Sequence, residues 1–190
     1  MNKNLAIIFF IIIGVVHSQE EKDALPYYEV PEYPHDYTAG TVAARMVDGL
    51  GFRFYWASHD LNKEDLAYKI SKDARSAEET INHIYDLSKV ILNSTLKQPN
   101  KREEGPEMTF DEKRSKTLMN LKTAADILRE SDDVSQYEII FSEQKIPFWN
   151  TINGPIADAL WHCGQLVSYR RANGNPINPF INQLTGKVRN

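Results

Sequence analysis

The chain has 190 residues, of which 42% are hydrophobic, with 22 basic side chains against 26 acidic ones. That apolar share suits one domain with a sizeable core, and a net charge of −4 without a Lys/Arg stripe argues against nucleic acid as the natural partner. Cys163 is the single cysteine, which excludes an internal disulfide, so packing, helped by any bound ion, must hold the fold.

Lys3, the apolar run Leu5 to Val16 and then Ser18 read as a signal peptide over residues 1–18. About a dozen apolar residues at 1.5 Å each fall short of a hydrocarbon core roughly 30 Å thick. The expectation is export to the periplasm or the extracellular space, with Gln19 as the new N-terminus and no stable membrane insertion after cleavage. A retained anchor is the competing reading. Residues 19–37 follow as a Pro/Tyr-rich arm: Pro26, Pro31 and Pro34 prevent regular helix, and Tyr27, Tyr28, Tyr33 and Tyr37 are suited to packing on the body. Residues 38–190 are expected to form one helical domain.

Thr38 or Thr41 caps a first helix that carries Val42, Met46, Leu50, Phe54 and Ala57 at near-helical spacing. Gly49 and Gly51 weaken it by about 1 kcal/mol each relative to alanine and permit close approach of another helix or a ligand. A polar stretch after His59 holds a short amphipathic piece around Leu66 and Ile70. Ser76 with Glu79 forms a capping box, and the helix it opens places Ile81, Ile84, Leu87 and Ile91 on one stripe and runs to about Leu96. Gln98 to Glu107, with Pro99, Gly105 and Pro106, is a solvated connection. Thr109 with Glu112 repeats the box before Leu118, Leu121, Ala125 and Leu128. Tyr137 to Phe141 and Ile146 to Trp149 read as short extended runs. Gly154-Pro155 then opens a fourth helix with Ile156, Leu160, Cys163 and Val167 as its stripe. Arg170 and Arg171 suit its C-terminal dipole, Gly174 stops it, and the tail is irregular. The sum is an all-α four-helix bundle with short extended segments before the last helix.

Of His35, His59, His83 and His162, only the last two fall inside these helices, and each has a carboxylate four residues earlier: Glu79 and Asp158. Residues four apart share a helix face and can reach one metal ion, and a bundle supplies further ligands from a facing helix. The plainer reading is a solvated intrahelical pair at Glu79–His83 and an Asp158 favoured simply by the helix N-terminus. Cys163 is turned about 100° from His162 and belongs to the core stripe. His59 suits a cap or surface role. Arg53, Tyr55, Trp56 and Tyr169 are candidates to line a pocket above the site or to fill the core. Arg170 and Arg171 are candidates for an anionic group or an ion pair with a neighbouring helix.

Ile81-Asn82-His83-Ile84-Tyr85-Asp86-Leu87-Ser88 resembles the second-helix histidine motif of the DinB-like metalloprotein superfamily. Gly154-Pro155-Ile156-Ala157-Asp158-Ala159-Leu160-Trp161-His162-Cys163-Gly164-Gln165, followed by Arg170-Arg171, resembles its fourth-helix motif. The match in element order covers roughly residues 38 to 172. The resemblance implies a four-helix bundle that binds a divalent metal, through three histidines in many members. His83 matches the second-helix ligand, His162 the second histidine of the fourth-helix HxxxH, and Asp158 stands at the first. A His₂/carboxylate set either keeps binding while altering metal preference or marks a decayed site. Zinc or nickel is expected, with iron a further candidate. Glu79 is open to three roles: fourth ligand, acceptor for an imidazole N–H, or general base. The implied activity is thiol-dependent transfer or hydrolysis on a small-molecule substrate, with a homodimer as a candidate assembly. The alternative is a non-catalytic binding or structural protein whose metal only ties two helices together.

Overall fold

Reciprocal caps fix where the helices begin. In the computed structural model, which describes residues 25–101 and 106–189, Thr38 accepts from the Thr41 amide at 3.1 Å and Thr41 Oγ1 accepts from the Thr38 amide at 2.9 Å. Both threonines therefore take part, Thr38 as the cap of α1 (Ala39–Ala57). Asn62 and Asp65 make the same exchange for the short α2 (Lys63–Ala67), which ends before the exposed Ile70. Ser76 and Glu79 open α3 (Ala77–Thr95), and Thr109 and Glu112 open α4 (Phe110–Arg129), as their spacing predicts. The expected signal segment 1–18, arm residues 19–24 and connection residues 102–105 lie outside the described residues.

After α4 the chain forms an antiparallel hairpin of β1 (Glu138–Phe141) and β2 (Gln144–Pro147), whose turn puts Ser142 at φ 50°. Asn100 caps the edge of β1 by donating its amide to the Ile140 carbonyl at 2.8 Å. The chain is then helical earlier than Gly154-Pro155 implies. One turn, α5 (Trp149–Thr151), leads through a wide turn at Ile152–Ile156 into α6 (Ala157–Ala172). Pro155 has no N–H with which to close a normal turn, Gly154 takes φ −92° and ψ −106°, and the Ala157 amide reaches back to the Ile152 carbonyl instead. Pro155 thus sits inside a kink rather than at the first position of a helix.

The four long helices close a bundle: α4 packs between α1 and α3, and α6 bridges α3 and α1. The core stripe of α3 and α4 is the one their periodicity marks, with Leu87 half-buried at its rim. On α1 the expected face is offset. Ala43, Val47, Leu50, Phe54 and Ala57 point inward, while Val42 is 48% exposed and Met46 lies at the margin. Small residues face α4 there because the two helices approach closely. A Cβ on Gly40 would run into the carbonyl oxygens of Leu128 and Ser131. On α6 the inward positions are Ala159, Cys163, Leu166 and Tyr169, continuing from Ile156 in the turn before it, whereas Leu160 and Val167 are half-buried on the α1 side.

The C-terminal carbonyls of α1, which has no basic residue in its own last turn, are satisfied from other helices. Arg170 donates to the Trp56 oxygen at 2.9 Å, and Arg114 donates to the Tyr55 oxygen at 3.3 Å while its guanidinium lies 4.8 Å from the Tyr55 ring centre. Arg170 is therefore a buried cap and not an anion ligand or ion-pair partner. The arm packs through Tyr27, whose ring occupies the space left by Gly51 and whose hydroxyl donates to Asp48 at 3.3 Å; Asp48 in turn meets Arg129 at 2.7 Å. The tail is less irregular than expected. It makes a small hairpin, β3 (Ile181–Asn182) with β4 (Lys187–Val188), held to the arm by the Val30 amide on the Gly186 oxygen at 2.8 Å and by Lys187 on Glu32 at 2.7 Å.

Candidate metal centre

His83 lies two turns into α3, and Asp158 and His162 lie one turn apart at the start of α6. Because α3 packs beside α6, the three side chains meet. Each offers one ligand atom, and those atoms all lie within 4.8 Å of one another. His83 Nε2 is 3.1 Å from Asp158 Oδ2, and His162 Nε2 is 3.3 Å from Asp158 Oδ1. The imidazole rings stand nearly perpendicular, 85° apart, with centroids at 4.7 Å. His162 is the most enclosed at 12% side-chain exposure, against 30% for His83 and 41% for Asp158, so the group opens to solvent on the aspartate side.

Gln165 supplies the detail that the spacing alone did not reveal. Its Oε1 lies 2.8 Å from His162 Nδ1. In the tautomer with the proton on Nδ1, that oxygen accepts it and Nε2 keeps its lone pair. That lone pair faces a carboxylate oxygen at 3.3 Å. In that tautomer both facing atoms are lone-pair donors, the arrangement in which a bound metal ion completes the contact. The donor set fits a divalent ion. Two imidazoles and a carboxylate are a known set for zinc and for non-haem iron, and bonds near 2.1 Å place neighbouring tetrahedral ligands about 3.4 Å apart, close to the contacts seen. The signal for Gln165 was its place three residues after His162, on the same helix face.

Glu79 shares a face with His83, but its carboxylate is engaged elsewhere. It accepts from the Ser76 amide at 2.7 Å and pairs with Lys69 at 3.1 Å, outside the three-residue group. The Ser76 amide, followed by Lys69, holds its pKa below the ordinary carboxylate value. His59 is also apart from the centre. It stacks near Tyr55 and Trp56 and meets Asp60 at 2.8 Å, and burial lowers its pKa. Tyr169 is buried against Tyr68, with ring centroids 5.8 Å apart. Arg53 and Trp56 line a pocket between α1 and α6 together with Leu160 and Gly164, which lie on the opposite side of α6 from Asp158 and His162. The expected pocket residues are therefore split between the core and a second cavity. Cys163 is buried, and desolvation pushes its thiol up to about 12, so it is a neutral core group.

Comparison with known proteins finds no matching family model, no matching curated protein and no matching solved structure. The chain is a mostly helical domain carrying a His/Asp/His group able to hold a metal ion. The DinB-like resemblance rests on the motif residues quoted above and on nothing in these comparisons.

Proposed function

We propose that His83, Asp158 and His162 bind one divalent ion, and that the protein is a metal-dependent enzyme of DinB-like type acting on a small molecule outside the cytoplasm. The carrying observation is the Asp158 carboxylate lying within 3.3 Å of both imidazole Nε2 atoms while Gln165 Oε1 lies 2.8 Å from His162 Nδ1. Three protein ligands leave coordination positions free, and the partial exposure of Asp158 supports access to them. A bound divalent ion supplies Lewis acidity toward a thiol or a water at such a position. Within this reading His162 is oriented by Gln165, His83 closes the set from α3, and Asp158 offsets part of the ionic charge. Thiol-dependent transfer and hydrolysis both suit these roles.

Glu79 favours the open centre over a closed structural one. A closed shell would draw on a fourth protein ligand, and the carboxylate one turn before His83 is already bound to Ser76 and Lys69. Metal analysis of tag-free protein is expected to give about one divalent ion per chain, lost in His83→Ala and in His162→Ala. Uptake unchanged by both substitutions would overturn the ligand assignment. An activity panel of thiol adducts, esters and amides, run with and without added metal, then separates transfer from hydrolysis; silence across it would favour a non-catalytic role. N-terminal sequencing of the protein recovered from the producing organism is expected to begin at Gln19, and an intact Met1 would refute export by signal cleavage.

A further inference from the structure

On the side of α6 away from the metal ligands, a pocket of about 360 Å³ opens between α1 and α6. Its lining includes Trp56, Leu160 and Val167, with the buried Cys163 among them. Two arginines enter it: Arg53 from α1 and Arg171 from α6. Arg53 donates to the Gly49 carbonyl at 2.9 Å and, at 3.5 Å, to that of Gln183; no carboxylate among the described residues lies within ion-pair distance of either guanidinium. Arg171 is exposed at the rim and Arg53 is half-buried, so the two guanidiniums give the cavity a positively charged lining beside its apolar walls. Arg171 is not a cap either, since that task falls to its neighbour Arg170.

We infer that this pocket is a second binding site, for a small organic anion with an apolar body. Each guanidinium offers planar, charge-assisted donors to a carboxylate or phosphate, and the aliphatic and indole walls cover hydrocarbon joined to that head. The head group lies toward Arg53 and Arg171, and the tail lies along Leu160 and Val167. The tail hairpin, through Gln183, and Ile177 before it form the outer wall. The site shares no residue with the metal centre, so either can fail without the other.

Isothermal titration of the full protein with octanoate and, separately, with octyl phosphate tests this. Inorganic phosphate supplies the head alone and octanol the tail alone. At least one amphiphile is expected to bind with an affinity about tenfold or more above either fragment, and Arg53→Gln and Arg171→Gln are each expected to weaken it about tenfold or more. Gly164 provides a plug, because a Cβ built there meets nothing within 4 Å. Gly164→Leu is expected to abolish binding, with its circular dichroism and thermal midpoint serving as the control for folding. If neither amphiphile binds at millimolar concentration, or if binding survives both the plug and the arginine substitutions, the inference is wrong. Which head group binds better decides between a carboxylate and a phosphate ligand.

Discussion

Asp158 is the residue on which the candidate centre turns, because its two oxygens each face a different imidazole. Replacing it with alanine removes the only anionic ligand and is expected to weaken divalent-ion affinity by an order of magnitude or more, whereas Asp158→His rebuilds a three-imidazole set and is expected to retain binding with a changed preference among zinc, nickel and iron. Competitive titration with the three ions reads both effects. Gln165 acts one step further out. Gln165→Leu leaves the three ligands in place but frees the His162 ring to turn and to exchange tautomers, and about a 10–100-fold loss of metal affinity is expected. An affinity equal to the parent protein would show that the 2.8 Å contact does not orient the ring. Glu79→Gln makes the complementary point: its carboxylate serves Ser76 and Lys69, so metal affinity is expected to stay within about twofold while the helix start is weakened.

The helices carry their boundaries in their caps. Ser76 accepts from the Glu79 amide at 3.0 Å, and Ser76→Ala is expected to cost about 1 kcal/mol in urea unfolding. The returning carboxylates make the same caps sensitive to acid. The Ser76 amide depresses the pKa of Glu79, aided by Lys69, and the Thr109 amide depresses that of Glu112, both from an ordinary 4.5. For groups lowered on folding, the unfolded chain binds more protons, so their stabilisation is complete above about pH 4.5 and fades as pH falls through the folded values. Melting curves followed from pH 6 to pH 3 are expected to show a falling midpoint below that range, with a smaller fall in a Glu79→Gln, Glu112→Gln double variant. Capping boxes and apolar stripes are local signals, which is why both ends of α3 and the start of α4 were legible in sequence to within a residue or two. The start of α6 was not. Gly154-Pro155 carries the same letters whether it opens a helix or sits in a kink, and only packing of Trp149–Thr151 against its neighbours distinguishes them.

Across the whole molecule, what the sequence revealed depended on how far the partners lay apart in the chain. The His83–Asp158–His162 meeting was legible because both halves sit at helical spacing and a bundle brings such faces together. The caps of Arg114 and Arg170 on α1, about 60 and 114 residues away, left no local trace, and a pair of arginines reads the same whether it binds a ligand or a backbone. Likewise the inward face of α1 was misread because Val42 and Met46 are more apolar than the alanines that actually pack against α4. The arm shows how such distant contacts combine. Tyr27 is lodged against Gly51, Asp48 and Arg129, and Tyr27→Ala is expected to leave helical circular dichroism intact while limited proteolysis cuts within residues 25–37 much faster. Equal cutting rates would show that the tyrosine does not anchor the arm. Lys187 meets Glu32 across 155 residues, a closure that a folding chain completes late. The cavity beside Arg53 therefore borrows its outer wall from a distant stretch of chain: Ile177 and Gln183 reach it only when residues 177–188 are folded back against the arm.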